Sequence, residues 1–187
     1  MFFQTLRRLC LKIPGHYLHI ALLVFLLLPS TAFAGEHAVS LGYGIGILNS
    51  GTSIGHVEGG DNYNFTQVTY LYEEPYWKRG SVAIEPFAAY VAKPDAGVDV
   101  GFSLLLRWYP FNGNHRGAYV DLGAGTAYTS VAFPRQGTHF LGILAGGLGY
   151  KNDAYFVQAR FRHYSNGNTA HPNESVNAGI VSVGWFF

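Results

Sequence analysis

The sequence predicts an all-β fold: eight antiparallel strands closed into a transmembrane barrel of an outer membrane. Three observations point there. Apolar residues recur at every second position in segment after segment from about residue 35 onward, and no helical periodicity competes with them. Aromatic residues gather at alternate connections between those segments. The chain opens with an export signal and shows no later apolar run long enough to anchor it as a helix.

Residues 1–34 read as a cleaved signal peptide. Arg7, Arg8 and Lys12 precede an unbroken apolar run from Ile20 to Leu28, too short for a spanning helix of about 20 residues but right for a secretory core of roughly 7 to 15. Ala32 and Ala34 supply small residues at alternate positions, so the expected cut follows Ala34 and residues 35–187 form one barrel domain. Cys10, the only cysteine, leaves with the signal, which removes disulfide and thiol chemistry from the remainder. The signal also takes three of the 12 Lys and Arg and none of the 11 Asp and Glu, leaving 9 against 11. That balance offers no concentrated basic surface for nucleic acid.

The first strand is the clearest. In AVSLGYGIGIL, Val39, Leu41, Tyr43, Ile45 and Ile47 share one face, and Ser40, Gly42, Gly44 and Gly46 the other. The glycines alternate inside a strand and lack G-x-G-x-x-G spacing, so they are not a phosphate-binding loop. Segments near 62–72 and 81–92 follow, with apolar groups on both faces. From about 97 to 109, Val98, Val100, Phe102, Leu104, Leu106 and Trp108 alternate with Asp99, Gly101, Ser103 and Arg107. Around 118–128, Val120, Leu122 and Ala124 oppose Tyr119, Asp121 and Gly123. A less clean strand near 138–150 precedes one from Tyr155, where Val157, Ala159 and Phe161 oppose Gln158, Arg160 and Arg162. The last sets Val181, Val183, Trp185 and Phe187 against Ser182 and Gly184.

Alternation alone does not say which face meets water, since a soluble barrel would turn the apolar face inward. Export, strands of about 10 residues and the aromatic placement choose a membrane. Tyr72, Tyr76 and Trp77 flank the second connection, Trp108, Tyr109 and Phe111 the fourth, Tyr150 and Tyr155 the sixth, and Trp185, Phe186 and Phe187 end the chain. With both termini in the periplasm these positions form one interfacial girdle. Glu85, Asp99, Arg107, Asp121, Arg160 and Arg162 then point into a narrow lumen, where buried charges are expected to pair with one another rather than line a pore. The connections near 49–61, 93–96, 130–137 and 166–175 face the cell exterior.

Chemistry concentrates in RFRHYSNGNTAHPNESVN. His163 and Ser165 share the odd, outward register of Val157, Ala159 and Phe161, at the end of a strand that rises to an exterior loop. Counting back from Phe187, Asn177 also has outward parity and begins the next strand. Residues two apart on a strand are about 6.6 Å apart at Cα, and adjacent strands lie about 4.8 Å apart, so the three side chains can meet on the outer wall. A polar rim without catalysis is the plain alternative, since polar groups near the interface cost only about 0–1 kcal/mol.

The run H-Y-S-N, followed by P-N and a polar residue on the next strand, resembles the lipid A 3-O-deacylase family (PagL type) of Gram-negative outer membranes. The resemblance is specific over residues 163–177. It implies a hydrolase of lipid A, a serine esterase with Ser165 as nucleophile and His163 as general base. It assigns Asn173 to the oxyanion, and Asn166 to activity as a second oxyanion or substrate contact. The third member is acidic in the family, whereas parity puts Asn177 there. Glu174, the only acid in the loop, is the alternative if a bulge rotates the strand start. An amide can hold an imidazole tautomer without stabilising the imidazolium by charge.

The reaction implied is attack of Ser165 on the 3-position acyl ester of the proximal lipid A glucosamine, with water releasing a 3-hydroxy fatty acid. No cofactor or metal is implied: His163 and His171 lack a third ligand at suitable spacing. The partners are lipid A or lipopolysaccharide as substrate and the outer membrane itself, and self-association as a homodimer stays open. The rivals are a structural or adhesion barrel acting through residues 49–61, and a palmitoyltransferase, which would want an apolar interior pocket.

Overall fold

The computed structural model describes residues 35–187 except 50, 52, 58, 59 and 134; the signal peptide and its cleavage site lie outside the described residues. Eight strands follow in order: β1 (Glu36–Gly46), β2 (Asn64–Trp77), β3 (Gly80–Lys93), β4 (Gly97–Trp108), β5 (Gly117–Thr129), β6 (Phe140–Lys151), β7 (Tyr155–Ser165) and β8 (Val176–Phe186). Each pairs antiparallel with its neighbours, and β1 pairs with β8 from Ala38 opposite Phe186 to Gly46 opposite Ala178, closing the barrel without a free edge. At 11–14 residues the strands exceed the roughly ten a tilted crossing needs. Pro75, which has no N–H for the ladder, sits beside a register shift in the β2–β3 pair.

Parity holds around the wall. In β4 the even residues Val98 to Trp108 are exposed, while Asp99, Ser103, Leu105 and Arg107 are buried. The six ionisable residues expected in the lumen are all buried, and four of them, Glu85, Arg107, Asp121 and Arg160, pair with one another, whereas Asp99 and Arg162 form no ion pair among the described residues. Arg160 reaches Asp121 at 2.7 Å and Glu85, and Arg107 reaches Asp121 at 3.3 Å and Glu85 at 3.4 Å. Arg162 donates to Gln67 at 3.1 Å and to the Tyr164 hydroxyl at 3.0 Å, over the Phe87 ring.

Two further lumen ions, Glu73 and Lys151, complete the periplasmic half. Glu73 Oε2 accepts from Arg107 at 2.7 Å and from Lys151 at 2.9 Å, and its Oε1 accepts from Ser81 and the Tyr109 hydroxyl, both at 2.5 Å. Tyr109 therefore belongs to the lumen and not to the girdle, and Phe186 likewise turns inward against Phe156. The remaining periplasmic aromatics lie outside as expected, with Tyr76, Trp77, Trp108, Phe111, Tyr150, Tyr155, Trp185 and Phe187 exposed.

The exterior half of the lumen is mainly apolar, with Arg162, Gln67 and Asp99 set among hydrophobic groups. Phe65, Phe87, Val91, Leu141 and Ile143 point inward there, and Val57, Tyr63, Val131 and Phe133 from the exterior connections cap them. Inward aromatics and aliphatics facing outward ones are why residues 62–72, 81–92 and 138–150 show no clean alternation. A second ring of exposed aromatics, Tyr43, Tyr90, Tyr128 and Phe140, marks the exterior interface, with Tyr128 and Phe140 packed edge on at 5.1 Å.

Candidate active site

Strand β7 carries its odd residues on the outer wall through to Ser165, without a bulge in its pairing with β6 or β8. His163 stands opposite Asn177 on β8 and Leu144 on β6, and Ser165 opposite Gly142. Gly142 lies two residues beyond Phe140 of the exterior aromatic ring, which sets this row at the depth of the outer leaflet interface. All three polar side chains are half-buried on the outer face.

His163 Nδ1 lies 2.7 Å from Asn177 Oδ1. Because Asn177 Nδ2 donates to the Leu48 carbonyl at 3.1 Å, the amide oxygen is the atom turned to the ring, so Nδ1 is the donor and Nε2 is left as the bare, basic nitrogen. Ser165 Oγ makes no side-chain hydrogen bond among the described residues, and it sits two positions along the same face, about 6.6 Å at Cα. A glycine at 142 leaves the wall beside it open, since a Cβ built there meets only the Ser165 carbonyl, at 3.5 Å.

The loop that follows is organised by two asparagines. Asn173 Oδ1 accepts the Asn166 backbone N–H at 3.0 Å, and Asn173 Nδ2 donates one hydrogen to Asn168 Oδ1 at 2.9 Å. Asn166, buried, gives both amide hydrogens to the carbonyls of Ala170 and Pro172 at 3.0 and 3.1 Å, while its Oδ1 accepts from Asn168 N at 2.9 Å. Both hydrogens of the Asn166 amide are thus committed within the loop, unlike those of Asn173. The β5–β6 connection zips against the same loop through a Gln136–Asn173 bridge and a Gly137 N–H to Pro172 C=O bond of 2.7 Å. Glu174 belongs to that zipper. Its oxygens lie 2.8 and 2.9 Å from Arg135 Nη1, and the imidazole Nδ1–H is accepted by Asn177.

One contributor has no signal in the sequence. Asn49 is buried, accepts from the Asn177 N–H at 2.7 Å and donates to the Asn177 carbonyl at 3.0 Å. It sits 128 residues away in a connection whose glycines and polar residues read as a flexible loop.

Below the row, toward the periplasm, a groove of about 670 Å³ crosses the outer wall, lined mainly by Leu41, Tyr43, Leu148, Val157, Ala159 and Val181. Ala159 is four residues from His163, about 13 Å along the strand.

A closed eight-stranded barrel with an apolar wall, two aromatic rings and a packed lumen defines an outer-membrane protein, and this one carries a polar row of Ser165, His163 and Asn177 on that wall. The lipid A 3-O-deacylase (PagL) family matches residues 67–186, which take in β3 to β8 and the whole row, and the chain belongs to that family. A crystal structure of the outer membrane enzyme PagL superposes with a TM-score of 0.62 at 16% identity, covering 79% of this chain and 97% of that one. The Yersinia pestis outer membrane protein Ail overlaps at TM-score 0.49 and 12% identity, covering 82% and 99%. The N-terminal β-barrel domain of Pseudomonas aeruginosa OprF overlaps at 0.48 and 13%, with the same coverage. Among curated proteins, none matches the chain significantly. Family and fold together assign it to the outer membrane.

Proposed function

We propose that this protein is a lipid A 3-O-deacylase working as a serine esterase on the lipid-facing wall of the barrel. The observation that carries the reading is the 2.7 Å hydrogen bond from His163 Nδ1 to Asn177 Oδ1, made on the outer face next to Ser165 and within the segment matched by the family. With the Nδ1 proton held by Asn177, His163 Nε2 takes the proton of Ser165 Oγ as that oxygen attacks the ester carbonyl carbon at the 3-position of the proximal glucosamine. Asn173, which commits only one of its two amide hydrogens to Asn168, has the other for the oxyanion. One such donor contributes of order 3 kcal/mol in a comparable site. His163 returns the proton to the sugar hydroxyl as the ester bond breaks, and water, deprotonated in turn by His163, cleaves the acyl-Ser165 ester to release a 3-hydroxy fatty acid.

The apolar groove supports the same reading. An acyl chain lying along the wall from Ser165 would run over apolar surface toward it, the groove opening at Ala159, six residues and about 20 Å down the strand. Substrate arrives by lateral diffusion in the outer leaflet. Among the described residues the lumen is filled by ion pairs and by aromatic side chains from the exterior connections, where an acyl transferase would want an open apolar pocket.

Mass spectrometry of lipid A from cells expressing the protein tests it. Loss of one 3-hydroxyacyl group is expected, and Ser165→Ala abolishes that loss while heat-modifiable migration on gels persists. An unchanged lipid A spectrum, or an active Ser165→Ala variant, refutes the proposal.

A further inference from the structure

An amide opposite an imidazole faces a difficulty that a carboxylate does not. Either carboxylate oxygen can accept the Nδ1 proton, but an amide must present its oxygen. Turned over, it offers N–H to Nδ1, and the ring must then carry its proton on Nε2, where a base needs a lone pair. With Asn177 in this place, something has to hold the amide one way round.

The start of the β1–β2 connection supplies it. The Leu48 carbonyl accepts from Asn177 Nδ2 at 3.1 Å, so a flipped amide would set oxygen against oxygen there and N–H against the Nδ1 proton donor at the ring. Leu48 aims that carbonyl from a left-handed conformation, φ 54°, which residues other than glycine seldom adopt. Asn49 secures the segment in this posture. Its side chain pairs with the Asn177 main chain on both sides, Oδ1 accepting at 2.7 Å and Nδ2 donating at 3.0 Å, and Nδ2 also donates to the His56 carbonyl at 2.8 Å. The Ile47 N–H adds a bond to the Asn177 carbonyl at 3.1 Å. In effect the Asn49 amide extends the β1–β8 ladder past its last pair, Gly46 with Ala178.

We propose that the Leu48 carbonyl and the Asn49 side chain are a positioning device: they fix which way the Asn177 amide faces, and through it which nitrogen of His163 carries the proton. This rests on the reading of His163 as general base, and it adds the β1–β2 connection to the machinery of that reading.

The test uses the full-length barrel folded in detergent micelles with ¹⁵N-labelled histidine, the His163 signals being assigned by His163→Gln. Long-range ¹H–¹⁵N spectra read the protonated nitrogen of each neutral ring. Wild type is expected to hold His163 as the Nδ1–H tautomer, and Asn49→Ala to shift it toward a mixture with Nε2–H. In the deacylation assay Asn49→Ala is expected to lower kcat about tenfold with KM unchanged, the scale of one lost hydrogen bond. Placed in an Asn177→Asp background, where both oxygens accept, the same substitution is expected to change kcat by less than about threefold. A merely structural role for Asn49 would weaken both backgrounds alike and leave the tautomer in place. If Asn49→Ala fails to fold, Asn49→Asp keeps the acceptor for the Asn177 N–H, drops the two donated bonds and is read the same way. A folded variant whose His163 stays Nδ1–H overturns the proposal. Deacylation in wild type with an Asn49-independent tautomer overturns it while sparing the enzymatic reading, and an Asn49-dependent tautomer without deacylation supports it while removing that reading.

Discussion

Truncating Glu73 to alanine strikes the most connected ion in the lumen. Its carboxylate is fully buried and accepts four bonds, from Arg107 at 2.7 Å, Lys151 at 2.9 Å, and the Ser81 and Tyr109 hydroxyls at 2.5 Å. Removing one partner of a buried, hydrogen-bonded ion pair costs about 3–5 kcal/mol, because the other charge stays behind without full compensation. The remaining neighbours limit the damage: Arg107 keeps Asp121 and Glu85 at 3.3 and 3.4 Å, and Lys151 keeps Glu36 at 2.5 Å. The expected loss is therefore within that range and not the sum of four bonds. Glu74→Ala is the control. It removes a half-buried carboxylate on the outer face at the periplasmic rim, bonded to the Tyr72 hydroxyl at 2.5 Å, and should cost no more than about 1 kcal/mol. Urea unfolding from lipid vesicles measures both, and Trp77, Trp108 and Trp185, all exposed in the periplasmic aromatic ring, report the transition by fluorescence. A Glu73→Ala barrel within 1 kcal/mol of wild type would refute the account of the lumen as a mutually dependent ionic core.

Other outcomes follow from the site and the wall. Asn177→Ala should lower kcat for lipid A deacylation about 10–100-fold, whereas Glu174→Ala, which removes a partly exposed pair with Arg135 worth about 0.2–1 kcal/mol, should lower it less than about fivefold; the reverse ranking in the same mass-spectrometric assay would make Glu174 the third member. Asn166→Ala should loosen the 166–175 loop, visible as faster protease cleavage there, together with reduced activity, because the loop loses three bonds to the Asn166 side chain. Leu104→Arg, on the outer face midway along β4, should destabilise the barrel by about 2–4 kcal/mol in vesicle unfolding, while a polar substitution level with Ser165 should cost under about 1.

The fold was legible wherever one face of a strand is apolar and the other is not. In β1, β4, β5, β7 and β8 parity separated the two faces, and with a membrane chosen as the solvent it turned Asp99, Arg107, Asp121, Arg160 and Arg162 inward and His163, Ser165 and Asn177 outward. It blurred where the lumen is itself apolar, as at Phe65, Phe87 and Ile143, since alternation carries no contrast when both sides exclude water. Glu73 and Glu74 show a related limit. They are adjacent and identical, one enters the lumen and one faces out, and only the phase of the whole strand distinguishes them. The role of Asn49 was out of reach for another reason: its bonds to residue 177 exist only because the first and last strands meet, and nothing local to either segment encodes that.

That meeting has a bearing on biogenesis. The imidazole is on the seventh strand, the amide facing it on the eighth, and the carbonyl orienting the amide just beyond the first, so the constellation straddles the suture where the two ends of the sheet are joined. A chain still being threaded into the bilayer, its sheet not yet a cylinder, holds every one of these residues and none of their alignment. Competence to cut would therefore arrive with the final ladder, and a nascent intermediate would spare the lipids around it.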